Sequence, residues 1–252
     1  MKKACILLCF FKQIKTKLQK FFILQKRYYG HITSLGYNCE VSFQFFKKFH
    51  FTESGLFSWC SCPDIKTMIN AINNLEKVGI GKITPQTKMW LCQNTNILFH
   101  GKGSPKEWEN PTPEFLKQDL EELKSRLAYL KKKLLNIGKD GKNNLYIYKC
   151  TPQEAVMPQE ELINSINTLY QTLKNICSNT FDLLIIFEKN KQADIDKVLE
   201  NPHIFVRRVN FFTNAACVTS KPYDKRGWGH IFNEFKPNFK LTESKHYKFE
   251  DL

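Results

Sequence analysis

Short apolar segments alternate with longer amphipathic segments along most of this 252-residue chain, and this alternation is the strongest constraint on its fold. Residues 183–187 are apolar at every position, which is typical of a strand covered on both faces, as in a parallel sheet. Strand–helix alternation of this kind predicts an α/β fold of three layers, Rossmann-like or SGNH-like, with a mainly parallel sheet and helices on both faces. The strands that we expect to be neighbours in the sheet are residues 31–35, 145–149, 183–187 and 204–212.

One leucine-rich segment is the clearest helix of the chain. It begins at Thr112, which can cap it, and Pro113, which suits a first turn, and it ends near Gly138. Its leucines recur at alternating spacings of four and three residues: Leu116, Leu120, Leu123, Leu127, Leu130 and Leu134. This stripe would also fit a coiled-coil seam, but we predict a helix that faces the core.

The positive charge of the chain is concentrated at its start. The net charge is +14, and residues 1–29 contain seven Lys, one Arg and no acidic residue. We therefore predict a basic extension at 1–29, an α/β domain at 30–236 and a polar tail at 237–252. Without the extension little basic charge remains, and no zinc-finger, helix-turn-helix or aromatic RNA-binding signature occurs, so we expect no nucleic-acid partner.

The extension and the cysteines indicate where the protein works. Residues 12–27 are basic and amphipathic, which fits either a loosely ordered extension or peripheral contact with an anionic membrane. The apolar run at 4–11 is too short to span a bilayer. The nine cysteines are scattered without a CxxC pair, which favours a reducing cytosol and no zinc site. We expect a cytoplasmic protein, with membrane association as the alternative, and neither a metal nor a cofactor.

Cys39 is the leading candidate for chemistry. It follows the first strand and a Gly-containing turn, and it precedes a helical segment, so it should lie where the helix N–H groups converge. A positive helix terminus favours the thiolate and can also hold an oxyanion, so we expect a depressed pKa for Cys39. The alternative is a small buried side chain that caps the helix. Asn38 would donate a hydrogen bond to an oxyanion or shape the turn.

A cysteine nucleophile needs a base, and the base needs an orienting partner. His100 is the preferred base because it ends a short strand and precedes a Gly-rich loop, and we expect it close to Cys39. His230 is the runner-up. Asp182, at the start of a strand, and Asp224 are the candidate orienting acids.

Residues 34–44, Ser-Leu-Gly-Tyr-Asn-Cys-Glu-Val-Ser-Phe-Gln, resemble the opening motif of a bacterial family described as papain-like cysteine peptidases. His100, residues 56–59 and residues 224–235 are similar to later landmarks of that family, and the last two contribute Trp59 and Trp228 as candidate substrate-binding residues. The resemblance covers residues 31–236 and implies a cysteine-nucleophile hydrolase. Ser58 stands where the family has Asp. The papain fold has an antiparallel barrel, which differs from the parallel sheet that the alternation predicts.

The sequence is consistent with three classes of function. The first is a hydrolase or acyltransferase that uses Cys39 and a histidine base on an unidentified substrate. The second is a transferase of surface polysaccharide biosynthesis that depends on coenzyme A or a sugar nucleotide, since Asn38-Cys39 after a first strand resembles a Gly-Asn-Cys motif of coenzyme-A-binding proteins. The third is a non-catalytic binding protein that associates with membranes through residues 1–29.

Overall fold

A computed structural model describes residues 26–50, 54–189, 191–192, 194–213 and 226–238 of the chain. Within these ranges the protein is an α/β structure with one parallel and one antiparallel four-stranded sheet and a two-stranded pair. The strands are β1 (Arg27–Tyr29), β2 (His31–Ser34), β3 (Cys60–Ser61), β4 (Ile83–Gln86), β5 (Met89–Cys92), β6 (Ile97–Phe99), β7 (Asn144–Lys149), β8 (Phe181–Glu188), β9 (Ile204–Val209) and β10 (Phe235–Pro237).

The helices of the described part are α1 (Glu40–Phe49), α2 (Ile65–Asn73), α3 (Pro105–Glu109), α4 (Pro113–Ile137), α5 (Gln159–Ile176), α6 (Ile195–Val198) and α7 (Trp228–Glu234). Thr112 caps α4 as predicted, because its side chain accepts a hydrogen bond from the Phe115 N–H. The α4 leucines at 123, 127, 130 and 134 are buried, so this helix faces the core over most of its length. No described helix is both long enough and apolar enough to cross a bilayer.

The parallel sheet has the strand order β2-β7-β8-β9, so the four strands predicted to be neighbours are neighbours. Successive side chains along its strands point to opposite faces of the sheet, and each face has its own hydrophobic core. Leu183 and Ile185 belong to a cluster with the buried leucines of α4 and α5, whereas Leu184 and Ile186 belong to a cluster with α1 and α7. The alternation of side chains along a strand explains why a fully apolar segment is needed here.

The antiparallel sheet was not predicted, and it makes the overall architecture mixed. Its strand order is β3-β6-β5-β4, and the strands are two to four residues long. Such short strands carry little periodicity, which is why only residues 96–99 were recognised as one of them. This sheet matters for function because β6 ends at the residue before His100.

Residues 27–29, which were predicted to belong to the N-terminal extension, form a short strand. Arg27–Tyr29 pairs in parallel with Phe235–Pro237, and the Asn238 N–H donates to the Tyr29 carbonyl oxygen. Residues 27–29 and 237–238 therefore belong to the folded body, because their backbone hydrogen bonds satisfy each other. The basic residues at 1–25, on which the membrane prediction depends, lie outside the described ranges.

Candidate active site at the edge of the parallel sheet

The turn between β2 and α1 places Cys39 at the carboxyl edge of the parallel sheet. Gly36 and Tyr37 both have a positive φ, 93° and 51°, which reverses the chain within a few residues. The Asn38 side-chain oxygen then accepts a hydrogen bond from the Glu40 N–H at 3.1 Å. Cys39 occupies the N-cap position of α1 and is 4 % exposed. The strand–turn–helix prediction for this segment is thus observed.

His100 reaches the same place from the antiparallel sheet. It directly follows β6, and its backbone N–H donates to the Trp59 carbonyl oxygen at 3.3 Å. Its own carbonyl oxygen accepts a hydrogen bond from the guanidinium of Arg126 on α4. Both backbone groups of His100 are therefore held, which fixes the point from which its side chain extends.

Asp119 holds the loop that follows His100, and sequence reasoning missed it. This buried α4 carboxylate accepts hydrogen bonds from the backbone N–H groups of Lys102 and Gly103, at 2.7 and 2.9 Å, and from the Trp90 indole N–H at 2.5 Å. A Cβ atom on Gly101 would lie 1.9 Å from the Asp119 Oδ2 atom, so only glycine permits this close approach. The loop is thereby anchored rather than free to carry His100 away.

The Sγ atom of Cys39 and the Nε2 atom of His100 are 3.4 Å apart. This separation is within reach of a thiol–imidazole hydrogen bond, and it agrees with the expected proximity of the two side chains. A neutral thiol that donates to Nε2 requires the imidazole tautomer with its proton on Nδ1. The arrangement can transfer the thiol proton to the imidazole as the sulfur attacks.

The expected depression of the Cys39 pKa is not found. Burial raises the pKa of this thiol to about 11, and the opposing effects of its own backbone N–H and of the Lys149 ammonium are smaller. The pKa of His100 is lowered by desolvation of the imidazole and by the nearby charge of Arg126, although the residue as a whole is exposed. The resting pair near neutral pH is therefore a neutral thiol and a neutral imidazole.

A buried ion pair lies beside the cysteine. Lys149, the last residue of β7, donates to the Glu40 carboxylate at 2.5 Å and to the Asn38 side-chain oxygen at 3.2 Å. The Lys149 and Glu40 side chains are 1 % and 0 % exposed. Sequence reasoning missed both residues, although a lysine that ends an otherwise apolar strand was the available signal.

Two predicted residues take other roles. Asp182 lies near the start of β8, at the opposite edge of the sheet, where it accepts hydrogen bonds from the Tyr29 hydroxyl and the His203 ring at 2.7 and 2.8 Å. It therefore does not orient His100. Trp228 is 1 % exposed and donates to the Glu40 carboxylate at 3.2 Å, so it supports the buried ion pair rather than a substrate.

The remaining predicted residues divide into those at the site and those elsewhere. Trp59 adjoins His100 through the backbone contact, and its half-buried ring packs edge-on against Phe43 at 5.1 Å. The runner-up base, His230, is an exposed residue of α7. Asp224 lies outside the described residues.

An open groove of about 450 Å³ adjoins the His100 side of the site. Arg126, which contacts the His100 carbonyl oxygen, lines it together with Lys102, Glu121, Glu122, Ser125 and Tyr129. Tyr129 is 65 % exposed. A larger depression of about 590 Å³ between α2 and α5 has no residue of the site in its walls.

We expect Asp119→Asn to destabilise the protein by about 1–3 kcal/mol, because an amide group cannot accept from all three donors that the carboxylate satisfies. Urea denaturation would measure the change. Glu122→Gln, on the same helix, is the matched control: its contact with Lys102 is exposed and should contribute less than about 1 kcal/mol. Equal effects of the two substitutions would contradict the role given to Asp119.

Comparison of the chain with protein-family models, with curated proteins and with solved structures finds no significant match to any of them.

Proposed function

We propose that this protein is a cysteine-nucleophile hydrolase or acyltransferase that acts on an amide, ester or thioester, with Cys39 as nucleophile and His100 as base. The observation that carries the proposal is the 3.4 Å contact between Cys39 Sγ and His100 Nε2 at the carboxyl edge of the parallel sheet. Loops at this edge are where α/β proteins bind their ligands. A cysteine and a histidine that come from two different sheets meet there, and the backbone of the histidine is held on both sides.

The neutral resting pair determines the order of events. As Sγ attacks the carbonyl carbon, the thiol proton moves to His100 Nε2, and the carbonyl oxygen becomes an oxyanion. When the tetrahedral intermediate collapses, the imidazolium returns this proton to the leaving amine, alcohol or thiol, and an acyl-thioester on Cys39 remains. Water or another acceptor then attacks the thioester, and His100 again accepts and returns a proton.

Asn38 is our candidate for the oxyanion donor. Its side-chain oxygen already accepts from Lys149 and from the Glu40 N–H. Its amide nitrogen has no acceptor among the residues that the structure describes, so it is the half of the side chain that remains for a ligand. Trp59, next to His100, is the proposed substrate contact on the other side of the dyad. Asp224 stays a proposed orienting acid.

The parallel sheet with a core on each face supports the finer proposal of a three-layer α/β domain, Rossmann-like or SGNH-like. The resemblance of residues 34–44 to the papain-like peptidase family supports the choice of Cys39. We also propose a cytoplasmic location, in view of six free buried cysteines in the described part of the chain, and peripheral membrane contact through residues 1–29 as the alternative.

The experiment is covalent labelling with electrophiles that acylate or alkylate a thiol nucleophile. The protein is incubated near neutral pH with p-nitrophenyl esters and peptidyl acyloxymethyl ketones, and the modified cysteine is identified by peptide mass spectrometry. We expect one adduct, on Cys39, and none in Cys39→Ala; the other eight cysteines serve as internal controls. An adduct that forms only after unfolding in urea would refute the proposal.

The same protein sample separates the alternative functions. Coenzyme A and a sugar nucleotide are added in turn, and the melting temperature is measured. A clear rise in melting temperature, with no adduct on Cys39, would favour the transferase. Binding to anionic vesicles, with neither an adduct nor stabilisation by a nucleotide, would favour the non-catalytic binding protein.

A further inference from the structure

Both neighbours of Cys39 in the chain bind the same buried ammonium group. The Lys149 Nζ atom is 3.2 Å from the Asn38 side-chain oxygen and 2.5 Å from the Glu40 carboxylate. Cys39 lies between these two residues, so the position of its backbone depends on a side chain from the neighbouring strand. Lys149 thus links the turn that carries the cysteine to the centre of the parallel sheet.

The surroundings of Lys149 keep the ammonium dry and fixed. The faces of the Phe212 and Tyr37 rings lie 4.3 and 4.9 Å from Nζ. On the far side, the Glu40 carboxylate accepts three further hydrogen bonds, from the Thr213 N–H, the Thr213 hydroxyl and the Trp228 indole. A charge fixed in this way interacts more strongly with its neighbours than a solvated one would.

A buried ion pair is weak as a stability device, since well-packed apolar residues of similar volume are often as good or better. The position of the ion pair beside Cys39 suggests a functional reason for burying it. We propose that Lys149 is a positioning residue of the Cys39 site, which holds Asn38 and Glu40 on either side of the cysteine and supplies the positive charge that stabilises the developing thiolate. This inference rests on the proposed function. The Lys149 charge would offset the burial of Cys39, which otherwise disfavours the thiolate.

The charge balance around the sulfur supports this role. Of the charged side chains nearby, Lys149 is the one that lowers the Cys39 pKa, against the larger effect of burial. The titratable groups that surround Cys39 and Lys149 are Tyr37, Glu40, Cys60, His100 and Glu188. His100 is neutral above its lowered pKa, so Lys149 is the cation next to the sulfur near neutral pH. Burial lowers the pKa of Lys149, and the Glu40 carboxylate opposes this effect by favouring the ammonium form.

The test measures the rate at which iodoacetamide alkylates Cys39 as a function of pH, with the modified peptide quantified by mass spectrometry. The variant is the double substitution Glu40→Gln/Lys149→Met, which removes both charges and leaves no unpaired ion. We expect its alkylation to be about tenfold slower at a given pH, since a shift of one pKa unit changes the thiolate fraction tenfold. Lys66→Met, at an exposed lysine that pairs with Glu161, should not change the rate.

If the folded double variant has the same pH profile as the unmodified protein, the inference is overturned. The proposed function would still stand in that case, provided that Cys39 is labelled in the unmodified protein. Failure to label Cys39 in the unmodified protein, in contrast, refutes the proposed function itself. If the double variant does not fold, a second measurement on the unmodified protein decides.

The second measurement compares two reagents, anionic iodoacetate and neutral iodoacetamide, at about pH 8.5, where the imidazole is neutral. We divide the alkylation rate with iodoacetate by the rate with iodoacetamide. We expect this ratio to be at least about threefold higher in the native protein than in urea, because a fixed cation attracts the anionic reagent. An equal ratio in the two states would show that no net positive field acts on the sulfur and would overturn the inference.

Discussion

Lys149→Met should lower the free energy of unfolding by about 3–5 kcal/mol, because it leaves the fully buried Glu40 carboxylate without its cation. The remaining partners of Glu40 are neutral donors, Thr213 and Trp228, which cannot replace a full charge. Urea denaturation followed by circular dichroism would measure the loss.

Two comparisons make this prediction specific. The double variant Glu40→Gln/Lys149→Met should recover most of the loss, since it buries no unpaired charge. Lys66→Met removes an ion pair of similar length, 2.7 Å, but its side chains are 63 % and 46 % exposed, so we expect a change below about 1 kcal/mol. A loss for Lys149→Met no larger than that for Lys66→Met would contradict the burial of this pair.

His100→Ala should slow the acylation of Cys39 near neutral pH by about 10²–10⁴-fold, since the neutral thiol then has no base to accept its proton. Acylation by p-nitrophenyl esters releases p-nitrophenol, and the absorbance of this product gives the rate. His203→Ala is the matched control, because His203 binds Asp182 at the opposite edge of the sheet. Equal losses in the two variants would indicate a general loss of structure.

The pH dependence of the same reaction distinguishes the roles of the two groups. In the unmodified protein the rate should fall as the pH is lowered through the His100 pKa, which lies below the ordinary value of 6.5, because the imidazolium cannot accept a proton. In His100→Ala this inflection should vanish, and the rate should instead rise with pH towards the Cys39 pKa of about 11, as the thiolate forms directly. Retention of the low-pH inflection in His100→Ala would assign the base to another residue.

The sequence determined those parts of the structure that depend on local pattern. The strands of the parallel sheet can be predicted from the sequence, because a strand covered on both faces needs an unbroken run of apolar residues. The turn that carries Cys39 was recognised for a similar reason, since a glycine between an apolar strand and a helical segment marks a reversal of the chain. Once a strand was predicted before His100, its end was a natural place for a base.

Only the tertiary structure decided which of these groups meet and what state they are in. The sequence places Asp182 at the start of a strand, yet in a parallel sheet the starts of strands lie at the opposite edge from the loops that follow their ends. A sequence motif favours Trp228 as a substrate contact, but its indole is buried against Glu40. Sequence does not show which residues lose water, and burial, rather than the helix terminus, determines the direction of the Cys39 pKa shift. The Lys149–Glu40 contact joins residues 109 positions apart, so only the packing of β7 against the start of α1 brings the ion pair together beside the cysteine.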